Sequence, residues 1–272
     1  LDRYDNFEHY LWAKELIFKE QNENQTAVLN ADQALSDEFA IRAIAKKKHW
    51  FSLKPLEDGK TGAYLDGKEM KFNFDGKEEV FAQAGDIEQD GEHNVSNSLA
   101  ASLVAHIGGV TNEQIQETLK SFAGLPGRQE VIGEVEGVMF VNDTTATSPD
   151  GVIAALKRFG NGGNIILLAG GASKKLEYEE MGDLIGDEVK QAILLEGTAT
   201  DAIAKAIGDE IPIVRVDSMV KAFAEAAKIA TLGDIVLLSP GAASFGMFKN
   251  EFDRGEQFEV EVDKYQKESE KN

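Results

Sequence analysis

Residues 165–174 read IILLAGGASK. An uninterrupted apolar run closed by two glycines and a cation is the pattern of a strand buried on both faces that ends in a ligand-sized turn. Two further segments repeat the plan: residues 138–149, VMFVNDTTATSP, and residues 235–245, IVLLSPGAASF. Shorter apolar runs at 192–195 and 211–216 lie between them, and helical spacing covers 151–159, 198–207 and 218–229. Strands alternating with helices at this interval predict a parallel sheet covered on both faces, a Rossmann-like α/β domain. Such sheets bind ligands at the carboxyl ends of their strands, where Asn142-Asp143-Thr144, Gly170-Gly171 and Ser239-Pro240-Gly241 fall. Residues 131–141 suggest two strands around Glu136-Gly137.

Upstream the rhythm differs. Phe7, Tyr10, Leu11, Ile17 and Phe18 have helical spacing over residues 7–19. Residues 27–29 form a short apolar run before a second helical pattern over 31–45. Residues 49–81 read as small antiparallel hairpins turned at Asp58-Gly59, Asp66-Gly67 and Asp75-Gly76. Residues 93–107 form a helix stopped by Gly108-Gly109, and Thr111 with Gln114 caps another running to Phe122. The loop AGLPG at 123–127 is the natural boundary, with a hinge expected near 125–128, giving domains at 1–124 and 125–272. The polar tail at 263–272 is expected to fray.

The chain has 272 residues, 42% apolar and 28% charged, enough for two cores. A net charge of −20 repels phosphate backbones and argues against nucleic-acid binding, while one local cation or helix N-terminus still suffices for a nucleotide. The absence of cysteine removes disulfides and thiolate chemistry and suits a reducing cytoplasm. No apolar run reaches membrane-spanning length. The opening at Leu1, without Met and inside a helical pattern, reads as a fragment.

Asn94 and Asn97 can present paired amides to a purine edge, and capping by Asn94 or Ser96 is the reading the residues alone favour. The hydroxyl-rich segment 143–148 exceeds what a helix start at Pro149 requires. Gly170-Gly171 permits close backbone approach and Lys174 brings charge, although Gly-Gly-x-x-Lys alone is unspecific. The small-residue turn at 239–245 also reads as tight packing.

Together these segments resemble the Mur ligase family, and within it the glutamate-adding branch. LDRYDNFEHYLWAK (1–14), VLNADQ (28–33), HNVSN (93–97), GLPGRQE (124–130), GVMFVNDTTAT, LLAGGASK and LSPGAASFGMFKNEFDRG follow one another in the family's order. The resemblance, from Leu1 to about Val262, implies part of a P-loop-type central domain followed by a Rossmann-like C-terminal domain. It implies an ATP- and Mg2+-dependent acid–amino-acid ligase that joins glutamate to UDP-N-acetylmuramoyl-L-alanine through an acyl phosphate, as a cytoplasmic monomer. It carries Asn94 and Asn97 to the adenine or ATP, Arg128 and Asp143 to ribose and phosphates, and Thr147, Lys174, Ser244 and Phe245 to glutamate. Lys14 matches the family's carboxylated lysine, an oxygen ligand for magnesium; from the residues alone it is a solvated helix lysine.

Departures are visible. Gly127 stands where the family has His, Thr144-Thr145 where it has Ser-Lys, Ser148 where Asn is common, and Glu251 where an aromatic is common, beside Phe252. No G-x-x-x-x-G-K-[ST] occurs, so the fragment alone is expected to be inactive. The competing readings are another Mur or folylpolyglutamate-type ligase and a non-catalytic nucleotide-binding module.

Overall fold

The computed structural model describes residues 4–87 and 91–270. Leu1, where the resemblance begins, and the last two residues of the polar tail lie outside them. The chain forms two compact units, residues 1–123 and 124–272.

Among the described residues the first unit has five strands, β1 (Thr26–Asn30), β2 (Lys47–Ser52), β3 (Gly62–Asp66), β4 (Glu69–Phe74) and β5 (Lys77–Gln83), in spatial order β1-β2-β3-β4-β5. β3, β4 and β5 are the expected hairpins, turned at Asp66-Gly67 and Asp75-Gly76. β2 is not: it runs parallel to β1 and β3, so Asp58-Gly59 lies in a crossover. An Asp-Gly pair signals a turn but not the direction of the strand that follows. Helices α1 (Phe7–Lys19) and α2 (Leu35–Arg42) pack by Phe18, Phe39 and Ala40 against Leu29 and Trp50. α2 is shorter than the 31–45 pattern because Asp32 accepts hydrogen bonds from Ser52 Oγ (2.8 Å) and the Leu53 N–H (2.8 Å), holding the loop open before it. Helices α3 (Glu92–Ile107) and α4 (Asn112–Ser121) supply Leu99, Leu103 and Ile115 to a second cluster with Met70, Phe72 and Phe81. The Thr111–Gln114 capping box starts α4.

The second unit is a six-stranded sheet: β6 (Glu130–Val135), β7 (Val138–Asn142), β8 (Ile165–Gly170), β9 (Val189–Leu195), β10 (Ile213–Val216) and β11 (Ile235–Leu238), in order β10-β9-β8-β11-β7-β6. All neighbours are parallel except β6 and β7, joined through Glu136 and Gly137, both at positive φ. The two-residue alternation splits each central strand. Ile165, Leu167, Leu194 and Leu237 face a core with helices α5 (Pro149–Phe159), α6 (Glu179–Glu188) and α7 (Thr200–Ile207). Ile166, Leu168, Ile193 and Leu238 face another with α8 (Met219–Ile229) and α9 (Glu251–Ser269). The tail expected to fray is the last part of α9 as far as Ser269; Phe258 and Val262 anchor that helix in the core. No described helix is long and apolar enough to cross a membrane.

Candidate functional site

β7, β8 and β11 are neighbours, with β11 in the middle. Their carboxyl ends therefore bring the hydroxyl-rich, Gly-Gly and Ser-Pro-Gly loops side by side. Backbone hydrogen bonds lace them together: Gly241 N–H to the Ala146 carbonyl (2.9 Å), Gly170 N–H to that of Pro240 (2.8 Å), and Ala172 and Ala243 to one another in both directions (2.7 and 3.0 Å). Gly171 has φ +132°, and a Cβ there would meet the Ala243 oxygen at 2.3 Å, so only glycine permits this approach.

Lys174 is half-buried and its Nζ donates to Thr147 Oγ1 at 2.7 Å, across two loops. Lys175, its neighbour, is exposed. Ser244 is buried in the third loop, whereas Phe245 projects into solvent at 65% exposure.

Asp143, in the loop that follows β7, is buried at 3% exposure. It accepts from Ser239 Oγ (2.7 Å) and the Gln129 N–H (3.1 Å). Burial pushes its carboxyl up to about 7, against the pull of Ser239, Gln129, Arg128 and Arg158. Arg128 itself is exposed. It ends a tight turn, with its N–H donating to the Leu125 carbonyl at 3.1 Å, Pro126 second and Gly127 third at φ +68°. Those are the residues of a type II turn. A Cβ at Gly127 would lie 2.9 Å from Thr144 Cγ2, while Thr145 N–H (3.0 Å) and Oγ1 (2.9 Å) both donate to the Gly127 carbonyl. The departures at 127, 144 and 145 thus fit one another as a packed set.

The hydroxyl run also serves structure. Thr144 Oγ1 donates to the Glu251 carbonyl (2.7 Å) and accepts from Arg254 Nε (3.1 Å). Arg254, which sequence reasoning missed, is fully buried and also donates to the carbonyls of Thr144 (2.8 Å) and Ala242 (3.2 Å). No described carboxylate lies within ion-pair distance of it. Burial lowers its pKa to about 10, so it remains a cation at neutral pH. The available signal was Gly255: glycine inside a helix costs about 1 kcal/mol relative to alanine and asks for a packing reason. That reason is the loop, since a Cβ at Gly255 would stand 2.8 Å from Thr144 Cγ2.

The remaining candidates lie in the first unit. α3 begins at Glu92 with Gly91 as its N-cap, so neither Asn94 nor Ser96 caps it. Asn94 and Asn97 instead sit one turn apart inside the helix, Asn94 half-buried and Asn97 exposed, sharing a face. Lys14 is exposed on α1, 5.4 Å from the Tyr10 ring centre; beside it, buried Glu15 pairs with Arg42 (2.7 Å) and Lys19 (3.0 Å). Taken unit by unit, the donor set offers two amides that suit a base edge in the first and an exposed guanidinium that suits a phosphate in the second. It does not by itself suit a metal, because no three His, Asp or Glu side chains among the described residues are grouped to hold one.

Comparison with known proteins agrees along the chain. The Mur ligase middle domain matches residues 1–105, and the Mur ligase, glutamate ligase domain matches residues 127–241. A UDP-N-acetylmuramoylalanine–D-glutamate ligase from Roseiflexus sp. (strain RS-1) is 37% identical over 97% of this chain and 58% of its own length. The ligase of the same name from Caldanaerobacter subterraneus is 37% identical over 96% of this chain and 57% of its own. The chain thus spans little more than half of these relatives. Among solved structures, MurF ligase from Thermotoga maritima in complex with ADP superposes with TM-score 0.65 at 22% identity, over 95% of this chain and 58% of that one. A pseudomurein peptide ligase type C from Methanothermus fervidus gives 0.70 at 17%, over 94% and 60%. With both domain models matched in order over an α/β fold of the same kind, the chain belongs to the Mur ligase family.

Proposed function

We propose that this chain forms the nucleotide-facing remainder and the amino-acid-binding domain of an ATP-dependent, cytoplasmic ligase that joins glutamate, as the D isomer, to UDP-N-acetylmuramoyl-L-alanine. The observation that carries the reading is the Lys174–Thr147 contact inside three laced strand-end loops. The ammonium donates to the hydroxyl oxygen, which leaves further ammonium hydrogens and the hydroxyl hydrogen for a carboxylate. Ser244 is a third donor from the adjoining loop, and Phe245 forms the rim.

In the proposed reaction the acceptor carboxylate attacks the γ-phosphate of ATP, releasing ADP and leaving an acyl phosphate. The glutamate amine then attacks that carbonyl, an amide forms, and phosphate departs. Arg128 meets phosphate charge, and Asn94 with Asn97 meets the adenine. Asp143, held by Ser239 and Gln129, supports the turn that carries Arg128. Lys14, if carboxylated, would supply one oxygen ligand to magnesium, which would neutralise phosphate charge when bound.

The test is phosphate release by the full-length parent protein. ADP and phosphate should form only with both UDP-N-acetylmuramoyl-L-alanine and D-glutamate present. Equal turnover with lysine, or none with either glutamate isomer, would refute the assignment; turnover with L-glutamate alone would reassign the isomer.

A further inference from the structure

The geometry points to Arg158, near the end of α5, as a positioning residue that holds the Arg128 turn in a strained conformation; its functional consequence rests on the assignment of Arg128 to the nucleotide.

Gln129 follows Arg128 directly and has φ +48°. A non-glycine residue in this left-handed region costs of order 1 kcal/mol or more and persists only when its surroundings fix it. Gln129 is 5% exposed and is fixed from two sides. Its N–H donates to Asp143 Oδ1 at 3.1 Å. Its carbonyl and side-chain Oε1 both accept from Arg158 Nη1, at 3.2 and 3.3 Å. The guanidinium is itself steadied against the Phe159 ring, 4.6 Å from its centre.

Removing the Arg158 head leaves a buried carbonyl without this charge-assisted donor, and nothing then offsets the left-handed backbone on that side. The peptide is expected to relax toward φ < 0, which swings the direction in which the preceding side chain, Arg128, leaves the turn. Asp143 would lose its alignment with the Gln129 N–H in the same movement. Arg158 therefore acts on the nucleotide site through the backbone of Gln129, without touching a ligand. Lys174 and Thr147 belong to other loops and should not respond.

In the full-length enzyme, Arg158→Ala should raise the KM for ATP about tenfold, the size of one charge-assisted hydrogen bond, and leave that for glutamate within twofold. Arg158→Lys, which keeps a cation with a shorter reach, should fall between. The decisive variant adds Gln129→Gly, because glycine adopts positive φ without strain. The double variant should recover most of the lost ATP affinity, which a lost structural contact alone would not do. Provided Arg128→Ala raises the ATP KM, an unchanged ATP KM in Arg158→Ala, or a double variant as impaired as the single, overturns the proposal. Arg128→Ala serves as the separate check on the nucleotide assignment. If it too leaves the ATP KM unchanged, that assignment fails, and the clamp is judged by amide hydrogen exchange at Gln129 and Thr145: acceleration in Arg158→Ala supports it, and unaltered exchange overturns it.

Discussion

At the scale of single residues the sharpest claim concerns Lys174. One charge-assisted contact contributes roughly 1.5–3 kcal/mol, so Lys174→Ala should raise the glutamate KM by about one to two orders of magnitude while the ATP KM stays near its starting value. Lys175→Ala, at the exposed neighbour, should change neither. Steady-state kinetics on the full-length protein decide this, and the reverse pattern would show the motif to be out of register. Asp143 makes a different prediction. Its folded pKa, about 7, lies above the ordinary 3.8, mainly through burial. The folded state therefore holds the proton more tightly than the unfolded chain. The associated stability is complete below about pH 4 and is lost as pH rises through about 7, at no more than ~1.4 kcal/mol per pH unit. Urea denaturation between pH 4 and 8 should show this decline, and Asp143→Asn should remove one proton's worth of slope. General repulsion from the −20 net charge remains in both proteins, so the difference between them isolates Asp143.

At the scale of elements, Arg254 ties α9 to the loops that follow β7 and β11. Arg254→Ala strips donors from the Thr144 and Ala242 carbonyls and from Thr144 Oγ1, and should destabilise the second unit by on the order of 3 kcal/mol, read as a lower urea midpoint with unchanged slope. Arg254→Lys should recover little, because a single ammonium cannot reproduce a planar fork. This helix also marks the limit of what the sequence discloses. β8 and β11 were legible because a run of apolar residues ending in glycine or Ser-Pro has few other uses. The Lys174–Thr147 meeting was foreshadowed because both residues follow strands of one parallel sheet. α9 was missed because Glu, Asp and Lys dominate it and, of its apolar side chains, only Phe258 and Val262 are buried. α6 was missed because its two glycines, Gly182 and Gly186, mask the helical signal; Gly182 is small because the Ala206 backbone crosses it closely. Arg254 was invisible for a simpler reason: an arginine among acids reads as surface, and only the fold reveals that it is sealed. Strand pairing is equally hidden, since apolar alternation specifies which face is buried but not which edge a strand joins, as β2 demonstrates.

At the scale of the whole molecule, the second unit carries two complete cores, one on each face of its sheet. Expressed alone, residues 124–272 should fold cooperatively, with coincident far- and near-ultraviolet circular dichroism transitions. Residues 1–123 expose Phe7 (56%), Trp12 (49%), Ile17 (69%) and Ile41 (84%) and should show weaker cooperativity or association under the same conditions. A sharp, monomeric transition for the first unit and none for the second would reverse this expectation.

The position of β11 has a consequence in time. Among the described strands of its sheet it is the last to be synthesised, yet it lies between β7 and β8, the strands whose loops it joins. Until residue 238 is available, the earlier strands have a gap at the centre of their sheet, and Gly170 and Ala146 lack the partners that Pro240 and Gly241 later provide. Closing that gap depends on contacts between residues 70 positions apart on the β8 side and 96 on the β7 side, which makes it the slow, entropically demanding event. A nascent chain is therefore expected to assemble its candidate binding loops all at once and late, and a truncation before β11 to leave the three strand-end loops unjoined.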